Sequence, residues 1–148
     1  VDFDFIVEEG TMLECNIDDM NPEWFEHFSE VLFEAGASEV YATPVIMKKT
    51  RGAQLISVLC KNELGNTLKP LIFEHTTTIG LREYNIKKSM LKRSEILVQT
   101  RYGNVRVKQS FMNNKMVHAK PEYDDLKALA IKHKLPIQTI YNEALKQL

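Results

Sequence analysis

Two adjacent carboxylates, Asp18 and Asp19, sit inside Asn16-Ile17-Asp18-Asp19-Met20-Asn21-Pro22-Glu23. Vicinal carboxylates repel one another unless a cation, a basic side chain or water offsets them, and hard divalent ions prefer carboxylate oxygen. The pair is a candidate metal site; the alternative is a capped loop whose acids are solvated. Lys48, Lys49 and Arg51 form a basic turn with Gly52. Such a turn can hold a phosphate chain by point charge and by the guanidinium fork, or it can be a solvated hairpin tip. Thr76, Thr77, Thr78 and Arg82 follow His75 and include Gly80 in their span. Their hydroxyls and guanidinium could bind an anion; the competing reading is a hydroxyl cap on a helix end. The glycine spacing and the missing lysine exclude a P-loop there. The last cluster is His118-Ala119-Lys120-Pro121-Glu122-Tyr123-Asp124-Asp125. Lys120 and Glu122 stand at an expected helix start, where backbone donors collect anions and ordinary capping is equally at home. His27 and His133 join no cluster, and His75 has no metal partner at ligand spacing. No Ser-His-Asp order or HExxH spacing supports a nucleophilic or zinc-hydrolase site.

The elements that must position these residues follow from periodicity. Met12 to Ile17 is a strand. Asn21 as N-cap, Pro22 at the first helical position and Glu23 at the positive dipole end open a helix running to Ala35. Trp24, Phe25, Phe28, Val31, Leu32 and Ala35 fall on one face, with Glu23, Glu26, Glu30 and Glu34 opposite. Gly36 stops it. Glu39 to Met47 is a strand that Pro44 confines to an edge or a bulge. Gln54 to Leu59 is a strand, Asn62 to Glu74 a helix kinked at Pro70, and Ile79 to Ile86 a strand. The order β-α-β-β-α-β predicts an α+β, ferredoxin-like split βαβ core over residues 12–90. Residues 91–148 read as a β meander with two closing helices: Ile96 to Tyr102, Val105 to Phe111 and Lys115 to Ala119, then helices from near Pro121 and Pro136. Gly103-Asn104 and Asn113-Asn114 are the turn signals. Residues 1–11, acidic and aromatic without Met, read as a linker or tail. In this fold order, the loop after the first strand and the basic turn are expected at opposite ends of one protomer. A site using both would need a bulged hairpin or a neighbouring subunit.

The composition is that of a soluble globular protein, and 148 residues suit one domain with a small appendage. A net charge of -1 argues against a bulk nucleic-acid binder. No apolar run approaches the ~20 residues of a membrane span, and no signal peptide opens the chain, so a cytoplasmic protein is expected. Cys15 and Cys60 lie in separate apolar strands without CxxC spacing and read as reduced, buried thiols.

Together these segments resemble the C-terminal region of the LarC family of nickel-insertion proteins. The resemblance is carried by Asn16 to Glu23, Met47-Lys48-Lys49-Thr50-Arg51-Gly52, Thr76 to Arg82, Tyr102-Gly103-Asn104-Val105-Arg106-Val107-Lys108 and Lys120 to Asp125, in family order. It runs from about Leu13 to the C-terminus. It implies a lyase-class nickel insertase that completes the nickel-pincer nucleotide of lactate racemase. The substrate would be a pyridinium mononucleotide bearing two thiocarboxylates, which gains one carbon–nickel and two sulfur–nickel bonds. CTP with Mn2+ or Mg2+ would be required, and CTP would be cleaved to CMP and pyrophosphate. Residue by residue, the resemblance implies Asp18 and Asp19 as metal ligands and Lys48, Lys49 and Arg51 as phosphate neutralisers. Thr76, Thr77, Thr78 and Arg82 would add contacts to the nucleotide, and Lys120 and Glu122 would meet base or ribose. Asp18, Asp19, Lys48 and Arg51 would be the catalytic set. It further implies a homo-oligomer, trimer or hexamer, and a partner region, N-terminal and nickel-handling, that these residues do not include. Cys15 stands where a small hydroxyl residue is expected and receives no metal role. The alternative is a non-catalytic oligomerisation or ligand-binding regulatory module on the same fold.

Overall fold

The computed structural model describes residues 3–148. It resolves into two compact units, one spanning Val7–Lys88 and the other Ser89–Leu148 together with the described residues before Val7.

In the first unit, strand β1 (Ile6–Ile17) leads to helix α1 (Trp24–Glu34), strands β2 (Glu39–Met47) and β3 (Arg51–Cys60), helix α2 (Gly65–His75) and strand β4 (Arg82–Met90). The sheet order is β2-β3-β1-β4, with β3 antiparallel to both β1 and β2. This is the ferredoxin-like arrangement expected from the element order. Alternation along β1 sends Leu13, Cys15 and Ile17 into the core and Glu14 and Asn16 to the other face. The core is completed by Phe28 and Leu32 from α1, Ile56, Val58 and Cys60 from β3, and Leu68 and Ile72 from α2. Burial pushes both cysteine thiols up from their ordinary pKa, which keeps them protonated and unreactive. Pro44 sits on β2, an edge strand, where its missing N–H leaves no ladder bond broken towards a further neighbour. Helix α1 ends at Gly36 (φ 105°) in a Schellman motif: Ala37 N–H donates to the Leu32 carbonyl and Gly36 N–H to that of Phe33.

Several boundaries differ from the sequence reading. Strand β1 starts at Ile6, inside the stretch read as a tail; its first four residues are all exposed, so no apolar alternation announces them. Strand β4 starts at Arg82 because Thr78 and Gly80 fold into a turn that leaves Ile79 99% exposed. Helix α2 follows a separate 3-10 turn at Asn62–Leu64 and continues past Pro70, held by the buried Leu68 and Ile72.

The second unit is an antiparallel meander of β5 (Lys92–Thr100), β6 (Gly103–Met112) and β7 (Lys115–Pro121), followed by helices α3 (Tyr123–His133) and α4 (Ile137–Leu145). Thr100 pairs with Gly103, so the hairpin loop is Arg101-Tyr102 and not Gly103-Asn104. The Thr100 hydroxyl closes it by donating to the Gly103 carbonyl at 2.7 Å, and Gly103, just after the loop, takes a φ of 141° that favours glycine. Asn113 and Asn114 both take positive φ (50° and 61°), the turn expected of them. Val98, Val105, Val107, Leu126, Ala130, Ile140 and Ala144 form this unit's own core.

Candidate functional site

Strands β1 and β2 both run antiparallel to β3, so both finish where β3 begins. Ile17 pairs with Gln54 and Met47 with Arg51, which brings the carboxylate loop and the basic turn to the same end of the sheet. The expectation that they lie at opposite ends is wrong. It overlooked that the crossover through α1 restores the strand direction. No bulge or neighbouring subunit is needed to join them.

The loop is built locally by Asn21. Its side-chain carbonyl accepts the Glu23 N–H at 3.0 Å and its backbone carbonyl the Trp24 N–H at 3.1 Å. This turn opens α1 and leaves Asp18 and Asp19 outside the helix. The Asp18 carboxylate stands 3.5 Å from Arg51 Nη1, with side chains 21% and 56% exposed. Exposed pairs of this kind are worth about 0–1 kcal/mol, so the two charges exchange partners readily. Asp19 Oδ1 accepts the Thr77 hydroxyl at 2.6 Å. Thus two segments distant in sequence converge on two adjacent carboxylates. Lys48 and Lys49 lie on the same hairpin as Arg51, in a three-residue turn where Lys49 and Thr50 adopt φ of 60° and 59°. Two successive non-glycine residues in the left-handed region store about 1 kcal/mol or more each, and such strain clusters at ligand sites.

Other predicted residues are engaged elsewhere. Thr76 Oγ1 donates to the Ile72 carbonyl at 2.7 Å, capping α2, and accepts the Thr78 N–H. Thr78 Oγ1 donates to the Gly80 carbonyl at 2.8 Å. Of the three threonines, only Thr77 turns its hydroxyl to the carboxylates. Arg82 donates from Nε to Glu14 (3.0 Å) and from Nη2 to Asn16 (2.7 Å), and the Tyr84 hydroxyl donates to the same Glu14 (3.2 Å). Glu14 and Tyr84 carry no sequence signal, because their meeting depends on β4 lying beside β1. Also missed is an apolar recess of about 200 Å³ lined by Ile17, Met20, Pro22, Phe25, Ala42 and Ile56, with Gln54 as its amide. Two of its lining residues, Ile17 and Met20, flank the aspartates in sequence.

Lys120 and Glu122 belong to the second unit. Lys120 is the penultimate residue of β7, opposite Lys108 on β6, and not a helix-start residue. Glu122 holds Lys108 at 2.9 Å, which lowers the Glu122 pKa and raises that of Lys108. Arg106 grips Asp125 through Nε and Nη2, both at 2.9 Å, while its backbone N–H donates to Asp125 at 2.8 Å. These bonds hold the Asp125 carboxyl below its usual range. Two segments that carried the resemblance therefore clamp α3 to β6.

Comparison with known proteins agrees with this architecture. The family described as nickel insertion protein matches residues 4–141. A pyridinium-3,5-bisthiocarboxylic acid mononucleotide nickel insertion protein of Clostridium kluyveri is 44% identical over 95% of this chain and 35% of its own length. Its namesake in Thermotoga petrophila is 37% identical over 95% of this chain and 36% of its own. The chain thus spans about a third of these relatives. The solved apo form of LarC2, described as the C-terminal domain of a cyclometallase involved in the synthesis of the NPN cofactor of lactate racemase, superimposes with TM-score 0.84. The identity is 34%, over 96% of this chain and 98% of that one. Protein MK0293 of Methanopyrus kandleri shares the fold alone (TM-score 0.74, 18% identity, 93% and 87% covered). With nearly the whole chain matched, and the fold shared with a solved C-terminal domain, the chain belongs to the nickel insertion protein family.

Proposed function

We propose that this chain is the CTP- and divalent-metal-binding part of a nickel insertase that completes a nickel-pincer nucleotide. The observation that carries the reading is the convergence of Asp18-Asp19, Arg51 and Thr77 at one end of the sheet. Among the described residues, no three His, Cys, Asp or Glu side chains form a closed metal cage. Two adjacent carboxylates with an open outer side fit Mg2+ or Mn2+, which bind through one or two carboxylates and take phosphate oxygens and water for the rest. Asp18 and Asp19 would hold that ion, which would supply positive charge against a bound triphosphate. Arg51, released from Asp18, forks onto phosphate oxygens, and Lys48 and Lys49 add point charges along the chain. In cleavage of CTP to CMP and pyrophosphate, an oxygen nucleophile would take the α-phosphorus as its bond to the β-phosphate oxygen breaks; the charge then passes to the leaving pyrophosphate, where these cationic side chains would offset it. Thr77 orients Asp19, and the recess lined by Ile17 and Met20 offers a base or pyridinium ring an apolar wall with one amide.

The substrate of the whole protein would be a pyridinium bisthiocarboxylate mononucleotide, the nickel being delivered by a region outside these residues. A homo-oligomer, trimer or hexamer, is part of the same reading; light scattering tests it, and a monomer at micromolar concentration removes that part. Isothermal titration of CTP with Mn2+ tests the site. Saturable binding that prefers CTP to ATP, and that Asp18→Asn and Arg51→Ala each weaken at least about tenfold, supports it. A wild-type chain that binds no nucleotide, or variants that bind as wild type, ends it.

A further inference from the structure

Tertiary packing brings together two histidines that stand 48 positions apart in the sequence. His27 on α1 and His75 in the last turn of α2 approach with ring centroids 5.6 Å apart and planes inclined by 68°. They share a surface recess of about 230 Å³ with Trp24, Glu74 and Thr76. Neither is a core residue: His27 is exposed and His75 half-buried. His133, by contrast, places Nε2 2.8 Å from the Tyr102 carbonyl. One ion bound by two imidazole nitrogens at about 2.1 Å sets the ring centres roughly 5 Å apart, close to the spacing seen. The surroundings favour a cation. Glu74 lines the recess, and His75 lies at the negative end of the α2 dipole.

We propose that His27 and His75 form a two-imidazole docking site for a borderline divalent transition ion, with water completing its shell. Nitrogen donors select Ni2+, Co2+ or Zn2+ over Mg2+ and Mn2+, the reverse of the preference of the Asp18-Asp19 pair. The two places are separated only by the threonine run. Thr76 lines the histidine recess, and Thr77 bonds Asp19. The site stands independently of the nucleotide reading, since it uses none of the same side chains.

The test is titration of NiCl2 into the chain carrying Asp18→Asn and Asp19→Asn, which removes the carboxylate pair from competition. One Ni2+ per chain is expected, unaffected by excess Mg2+. His27→Gln or His75→Gln should weaken it at least about tenfold, and the pair together should abolish it. His118→Gln with His133→Gln should leave it unchanged. Nuclear magnetic resonance of the unmutated histidines gives a second readout that does not depend on variants folding. Sub-stoichiometric Ni2+ should broaden the His27 and His75 side-chain signals before those of His118 and His133. Absence of Ni2+ binding, binding that survives loss of both His27 and His75, or first broadening at His118 or His133 overturns the proposal.

Discussion

The end of the first unit and the clamp of the second are both built from acids and bases, and they handle those charges differently. In the clamp, Arg106 meets Asp125 through two side-chain bonds and one backbone bond, and Lys108 is held by Glu122. In the first unit, Asp18 has a single guanidinium nitrogen at 3.5 Å, Asp19 a single hydroxyl, and the neighbouring turn is strained. A fully bonded charge cluster fastens elements together. A loosely paired one leaves capacity for an outside ligand. Residue type does not separate the two cases; the number of partners does.

The largest expected effect is on ligand binding at the loose cluster. Asp18→Asn with Asp19→Asn should lower CTP–Mn2+ affinity by about a hundredfold or more, measured by calorimetry, with the melting temperature almost unmoved because the carboxylates stabilise little. A melting temperature that falls as steeply as the affinity would make this end a structural cluster and erase the contrast. Lys48→Ala with Lys49→Ala should weaken binding by about tenfold and increase the sensitivity of what remains to the loss of Arg51.

The clamp should give the opposite pattern. Asp125→Ala should lower the melting temperature by a few degrees, seen by circular dichroism, and leave nucleotide affinity within about twofold. Its pH dependence has a definite sign. The Asp125 and Glu122 carboxyls have folded-state pKa values below their unfolded ones. Their contribution is therefore fully present above the ordinary carboxylate range, about pH 4, and is lost as pH falls through the lowered values. Asp125→Asn should flatten that acid-side loss; an unchanged acid limb would mean the clamp is not what the acid attacks. The smallest effect is expected at Lys120, whose replacement by Ala should change CTP affinity by less than about twofold. A larger loss would return Lys120 to the site and blur the distinction.

Much of the fold was legible because its signals are local. The Gly36 stop, the edge role of Pro44, the Asn113-Asn114 turn and most of the α1 stripe depend on neighbours within a few residues and stand as expected; Trp24, placed on that stripe, is instead 53% exposed. Boundaries failed where burial was missing, as at Ile6, or where the turn's glycine stands just after the loop and not inside it, as at Arg101-Tyr102. In the site, residue types were legible and their engagement was not. Thr76, Thr77 and Thr78 are identical in sequence terms, yet only one hydroxyl reaches a carboxylate.

What the chain alone determined is a list of chemical capacities in short segments: paired acids before a capped helix, a basic turn, a hydroxyl run, and their order. Tertiary structure decided which of those capacities meet. Strand direction carried Arg51 to Asp18, helix packing set His27 against His75, and β6 engaged Glu122 and Asp125 before any ligand could. The physical reason is that capping, turns and amphipathic stripes act over a few residues. A Coulombic or ligand partnership instead depends on separations of a few ångströms, which only the folded backbone sets.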